Sequence, residues 1–364
     1  MIQEAQLNAL VDRHVGEHSF SGVVLLEGPH AMPYLRAAGF ASLSHRVQNG
    51  PETRFATASV TKMLTSVAVL QLIESGDIAL DTRAVSYLGL AGTKLSTDIT
   101  VYHLLTHTSG MASYFDDTGD SEANFEKVWA DRPTYAFRQL ADFLPLFSDE
   151  TPLAAPGKEF KYCDAGYILL GLMIERASGL SYFDYVRRNV FARAGMDGSD
   201  FLPLDGTDAD VADAYIPITD SEGRIGGWRK NIFAVPAYGA SDGGAYATAP
   251  DMVRFLKALR KSRLLSPEMT QEMLTPRVED QVCELGTWKY GYGLYFLQSQ
   301  DGAVVRYGHT GEDPGVSCRV YHYPGEGIDV VILGNRSGCA GLLGWDIQNL
   351  ILKAVRGSGR REDE

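Results

Sequence analysis

The sequence predicts an α+β fold: an antiparallel sheet built from both chain termini and flanked by helices, with a mainly helical region inserted between them. Two observations predict it. Strand-like runs lie at the two ends of the chain, and helical periodicity fills the middle. The alternating strand–helix order of a parallel sheet is missing. On this reading residues 1–80 and 235–364 form the sheet domain, residues 81–234 form the helical domain, and residues 356–364 are a disordered tail.

Each element has its own signal. "SGVVLLEGP" and "PYLRAAGFAS" read as two strands joined by a turn at Gly28 and Pro29. A helix follows from about Ser59 to Ser75. Val60, Met63, Leu64, Val67, Leu70 and Ile73 fit helical spacing, and Gly76 ends it. "ITVYHLLTHTSGM" is a short helix running into a glycine turn, and "YCDAGYILLGLMIERASG" is a strong helix stopped by Gly179. "SYFDYVRRNVFARAG" is another helix, after which residues 201–227 dissolve into an acidic, glycine-rich loop. In "TAPDMVRFLKALRKS", Thr248 caps a helix, Pro250 sits in its first turn and Asp251 completes a capping-box pattern. The strands "YGYGLYFLQ", "AVVRYGH", "VSCRVYHYP" and "IDVVILGNR" follow, and "GLLGWDIQNLILKAV" is the closing helix.

Composition bounds the function. The 364 residues are 45% hydrophobic and carry a formal charge of −13. That excess of acid disfavours nucleic acid and an anionic membrane surface as partners. The first twenty residues mix acids and bases where a signal peptide would be apolar, and no run is long enough to span a bilayer. A cytoplasmic protein is expected. Cys163, Cys283, Cys318 and Cys339 are scattered and read as reduced thiols, not as a disulfide framework or a zinc site.

Three segments carry chemistry. In "FATASVTKML", Ser59 and Lys62 stand at i and i+3 on one helix face. Ser59 lies near the helix N-terminus, where unpaired N–H groups can stabilise an oxyanion. A lysine can activate a serine if burial or neighbouring cations lower its pKa. Alone the pair means little, since chance yields it about once in a chain of this length. In "FKYCDAGY", Tyr162 precedes an apolar helix and can relay a proton, or act as base if it ionises. In "RYGHTGEDPG", a strand ends and His309, Thr310 and Gly311 follow. The glycine would let a substrate approach an edge strand, the N–H of Glu312 is a second possible oxyanion donor, and His309 could orient the leaving group or the tyrosine.

In this order the three segments resemble the motif set of the serine β-lactamase and penicillin-binding-protein superfamily: S-x-x-K, then Y-x-N or S-x-N, then K-T-G. The chain is most similar to the class C β-lactamase-like branch, with family VIII carboxylesterases and D-stereospecific peptidases and amidases. "HLLTHTSGM", "GGAYATAPDMVRFLKAL" and "YGYGLYF" also look like segments of that branch. The resemblance implies an acylated Ser59, an activating Lys62, Tyr162 as second base or proton relay, and His309 where the family often has lysine. The N–H groups of Ser59 and Glu312 would form the oxyanion hole. It implies a small-molecule ester or amide substrate and no metal or organic cofactor. It makes His107, in "THTSG", structural.

The departures from the pattern point to the substrate. Asp164 stands where the family usually has asparagine. Its charge would raise the pKa of Lys62 and shift the base role toward Tyr162. Either Asp164 pairs with a substrate ammonium, or it only buttresses Lys62. Two acids, Glu312 and Asp313, follow Gly311, which disfavours the carboxylate-bearing substrates of β-lactamases and DD-carboxypeptidases. The expected activity is hydrolysis, through an acyl-enzyme, of small esters or of amides and peptides of amine-bearing acids. β-Lactamase or DD-carboxypeptidase activity is one alternative, and a non-catalytic ligand receptor is another. A further hydrolase reading is "GASDG", which fits a nucleophile elbow at Ser241 but lacks the strand before it and the helix directly after it. Tyr114, Phe115, Trp228 and Tyr238 are candidate pocket walls between the two domains.

Overall fold

The computed structural model describes residues 2–29, 31–115, 121–130 and 132–358. Its main sheet has eight strands. In chain order they are β1 (Gly22–Gly28), β2 (Ala31–Ala38), β3 (Val278–Cys283), β4 (Gly286–Tyr290), β5 (Tyr295–Gln298), β6 (Val304–Asp313), β7 (Val316–Tyr323) and β8 (Ile328–Gly334). Their spatial order is β3-β4-β5-β6-β7-β8-β1-β2, and every pair is antiparallel. The amino-terminal hairpin thus completes a sheet made from the last third of the chain, the α+β arrangement that strand order predicts.

Both faces of the sheet are covered. Side chains alternate along a strand, so Val23 and Leu25 enter one core while Val24 and Leu26 enter the other. The second core packs against two terminal helices, α1 (Glu4–Glu17) and α5 (Gly341–Ser358), through Leu7, Val11, Leu343, Ile347 and Ile351. The first core holds α2 (Thr61–Glu74), α3 (Asp164–Ser178) and α4 (Ala249–Arg260). α2 is buried on all sides from Thr61 to Leu72, which makes it the central helix of the molecule.

Several elements differ from the sequence reading. α1 has no strong apolar stripe, and its periodicity gave no signal. Residues 201–227, expected as loop, include the strand Tyr215–Thr219, which pairs with Ile225–Lys230 in a hairpin. Pro217 and the pair Gly226–Gly227 break the strand pattern, and the hairpin is half-exposed. Thr248 does cap α4, but the Asp251 carboxylate turns away from the cap to accept from the Gly198 N–H and the Ser199 hydroxyl. α5 runs on to Ser358, so residues 356–358 are helical, while the rest of the expected tail lies outside the described residues. No helix among the described residues is long and apolar enough to cross a membrane. The four cysteines are free thiols.

Candidate active site

The site is built where the chain before α2 meets the open end of β6. Phe55–Ala56 pairs with Ala245–Ala247, which also pairs with Asp200–Phe201. Thr57 donates to the Ala245 carbonyl from its amide (2.9 Å) and its hydroxyl (2.8 Å). Ala58 then adopts a left-handed conformation (φ +46°), rare for a residue with a Cβ, and is fully buried. This sharp turn opens a short 3₁₀ segment, Ala58–Val60, that leads into α2. Ser59 sits in it, partly exposed to a cavity of about 710 Å³.

One helical turn on, Lys62 is fully buried. Its Nζ donates to Ser59 Oγ (3.0 Å), to Asp164 Oδ1 (2.5 Å) and to the carbonyl oxygen of Asp242 (2.7 Å). Burial by itself would push the ammonium down, but the carboxylates of Asp164 and Asp242 outweigh it and hold Lys62 above its ordinary pKa. The Tyr162 ring lies 4.8 Å from Nζ. Its hydroxyl oxygen is buried without a hydrogen-bond partner among the described residues. Burial and the Asp164 charge push this phenol well above its ordinary value, against an opposing effect of the Ser59 hydroxyl. At neutral pH the site therefore holds a protonated lysine and a protonated tyrosine beside Ser59, with Asp164 Oδ1 on the lysine.

β6 supplies the opposite wall. β5 ends its pairing with β6 at Gly308, so residues 309–313 have one unpaired edge. Asp313 and Val316 flank a two-residue turn, which puts Glu312 opposite Ser317 at a non-hydrogen-bonded position. The Glu312 N–H is thereby turned from β7 toward the open edge, and Glu312 and Ser59 line the same cavity. The Glu312 side chain goes elsewhere, to the Ser317 hydroxyl (2.9 Å) and Arg319 (2.5 Å). Gly311 serves a different approach from the one its sequence suggests. A Cβ there would meet the Thr57 carbonyl oxygen at 2.1 Å, so the glycine admits the nucleophile turn, not a substrate.

His309 is 1% exposed and does not line the cavity. Its Nδ1 donates to the Thr310 carbonyl (2.5 Å), which leaves Nε2 to accept from the Tyr290 hydroxyl (3.1 Å). Burial, and then the Lys62 charge, lower its pKa to about 3, so the ring is neutral. It packs behind Tyr162 and Tyr295, at ring distances of 6.2 and 5.4 Å. His107 also packs on Tyr162, 4.2 Å from its ring, and its Nδ1 accepts from the Cys163 N–H (3.1 Å). Both histidines contact the Tyr162 ring.

Ser241 is fully buried, and its hydroxyl donates to the Tyr167 carbonyl (2.8 Å), so it presents no nucleophile to the cavity. The "GASDG" turn matters through its neighbour. Asp242 offers its carbonyl to Lys62, and its carboxylate accepts from the Tyr114 hydroxyl. Burial raises the Asp242 carboxyl to about 6 despite the attraction of Lys62. No local pattern marked this residue, because its partners are Lys62 and Tyr114, far off in sequence.

Tyr114 and Phe115 line the cavity, and Phe143, Trp129, Tyr246 and Tyr295 join them. Trp228 and Tyr238 do not. Trp228 lies under the Arg336 guanidinium (4.3 Å), and the Tyr238 hydroxyl is held by Phe201 and Arg187. The polar lining is acidic, with Asp164, Asp242, Glu312 and Asp313. Among the described residues, the lining holds no lysine, arginine or histidine.

The model of the Beta-lactamase family matches residues 7–346. The chain belongs to that family. A solved penicillin-binding protein from Bacillus halodurans is 37% identical to this family member. It covers 94% of this chain and 99% of its own, with a TM-score of 0.86. Esterase EstB of Burkholderia gladioli is 28% identical over 72% of each chain. A D-aminopeptidase of Brucella ovis is 25% identical over 84% of this chain and 54% of its own length. Relatives of this family member thus include hydrolases of esters and of peptides, and a hydrolase is what their company supports.

Proposed function

We propose that this family member is a serine hydrolase working through an acyl-enzyme, with Ser59 as nucleophile and Lys62 as its activating partner. The observation that carries this reading is the 3.0 Å contact between Lys62 Nζ and Ser59 Oγ at the wall of the cavity. The N–H groups of Ser59 and Glu312 would receive the oxyanion. Tyr162, protonated at rest, would pass a proton to the leaving group. His309 would act from behind, by positioning Tyr162 through the aromatic cluster.

The substrate would be a small ester, or an amide or peptide of an amine-bearing acid. Four acids line the cavity against the two cations paired with them, Lys62 on Asp164 and Arg319 on Glu312, and this excess favours a cationic substrate group and disfavours a carboxylate. Asp164 is already paired with Lys62, so Asp313 is the better counterpart for a substrate ammonium: burial, then the charges of Asp242 and Asp164, hold its carboxyl well above the ordinary range, and an arriving cation would draw it into the ionised form. The same wall argues against β-lactam or DD-carboxypeptidase substrates, and the Ser59–Lys62 contact argues against a purely binding role.

Initial rates on p-nitrophenyl butyrate and on D-alanine p-nitroanilide, with Ser59→Ala as the blank, test the reading. Turnover of either, lost in Ser59→Ala, is expected. Loss of the anilide rate alone in Asp313→Asn would support the ammonium site. Equal rates for Ser59→Ala and the parent on both substrates would reject the hydrolase.

A further inference from the structure

We propose that Asp164 is the proton acceptor that frees Lys62 to take the serine proton: as Ser59 attacks, Lys62 gives one Nζ–H to Asp164 and receives the Ser59 hydroxyl proton. This rests on the acyl-serine reading above.

The geometry behind it is a count of donors and acceptors. An ammonium has three N–H donors and no lone pair. Those of Lys62 meet Ser59 Oγ, Asp164 Oδ1 and the Asp242 carbonyl oxygen at 3.0, 2.5 and 2.7 Å. The resting lysine therefore has nothing with which to accept a proton from Ser59. Tyr162 already carries its own proton. The Asp242 carbonyl is too weak a base to hold one, and the Asp242 carboxyl is turned to Tyr114. Of the groups in contact with Nζ, only Asp164 offers a carboxylate oxygen. An asparagine at this place could not receive the proton.

Atoms and charge balance. In acylation the Ser59 O–H bond breaks and the Oγ–acyl carbon bond forms, while the carbonyl oxygen becomes the oxyanion. Lys62 gains the serine proton and loses another to Asp164, so the lysine stays an ammonium and the negative charge moves from Asp164 to the oxyanion. When the intermediate collapses, the bond to the leaving group breaks. That group takes a proton from Tyr162; the Nζ–H that met Ser59 Oγ, released once that oxygen is acylated, turns to refill Tyr162, and Lys62 is refilled from Asp164. The groups facing the pair are Tyr162 and Tyr167, whose rings lie 4.8 and 5.5 Å from Nζ, with Asp242, Asp313 and the neutral His107 and His309 around them.

The test is the rate of Ser59 labelling by a fluorophosphonate from pH 6 to pH 10, in the parent, Asp164→Asn and Asp164→Ala. The parent should label at neutral pH. Asp164→Asn should label about 100-fold more slowly at pH 7, the scale of a lost proton acceptor, and should recover toward high pH as Lys62 loses its proton to solvent. Added formate should accelerate folded Asp164→Ala by supplying the missing carboxylate. A merely structural Asp164 would show neither the pH-dependent recovery nor the rescue. Labelling of Asp164→Asn within threefold of the parent at pH 7, or no formate effect on folded Asp164→Ala, would overturn the proposal and leave the hydrolase reading intact. A parent labelled no faster than Ser59→Ala would overturn both.

Discussion

A Cβ placed on Gly311 would stand 2.1 Å from the carbonyl oxygen of Thr57, two residues before Ser59. β6 and the nucleophile turn are thus in backbone contact, and the distance between Ser59 and the Glu312 N–H depends on it. Gly311→Ala should push the two apart. Overpacking of this kind costs about 1–3 kcal/mol, and the spread oxyanion donors should slow Ser59 labelling by about 100-fold. Thermal melts and labelling rates check both effects. An alanine variant that melts and labels like the parent would contradict the contact.

Tyr162 places a hydroxyl in a buried position without a partner among the described residues, an arrangement that function can explain and stability cannot. Tyr162→Phe should leave the melting temperature unchanged or slightly raised. Its kcat on an activated ester should fall by 10²–10⁴, roughly the worth of a positioned proton donor. A variant with the parent's kcat would remove Tyr162 from the mechanism.

How much of this was legible before the structure follows from the range of each contact. Ser59 and Lys62 were legible because i and i+3 on a helix is a local relation. The α2 and α3 boundaries were legible because Gly76 and Gly179 end them with positive φ. Asp242 was not legible, since it joins Lys62 and Tyr114 only through the fold. Gly311 was legible as a special position, but its reason was not, because the atom it accommodates belongs to Thr57. His309 looked available for chemistry as a turn residue. The structure continues β6 through it, and Tyr290 and Tyr295, distant in sequence, pack against its ring and bury it.

The neutral His309 links stability to pH. The unfolded chain binds a proton at this imidazole near pH 6.5, while the folded chain refuses it until about pH 3. Between these values the unfolded state holds more protons, so stability is lost as pH falls through the window. His107 acts in the same direction. His309→Asn should flatten the decline of melting temperature between pH 7 and pH 4. A decline as steep as the parent's would contradict a buried neutral imidazole.

Asp242 works with the opposite sign. Its carboxyl titrates near 3.8 when unfolded and at about 6 when folded, so the folded state holds more protons between these values. Stability attributable to this group falls as pH rises through that window. Asp242→Asn keeps an acceptor for the Tyr114 hydroxyl and removes the buried charge. Its melting temperature should exceed the parent's at pH 7 by a few degrees and match it at pH 4. The reverse order would contradict the raised carboxyl.

The central claim is that Ser59, activated through Lys62, forms the acyl-enzyme. Its most direct test is intact-protein mass spectrometry after brief exposure to a fluorophosphonate, followed by peptide mapping. One adduct per chain on the peptide carrying Ser59, absent in both Ser59→Ala and Lys62→Met, is the expected result. An adduct on the peptide carrying Ser241, or undiminished labelling in Lys62→Met, would contradict it.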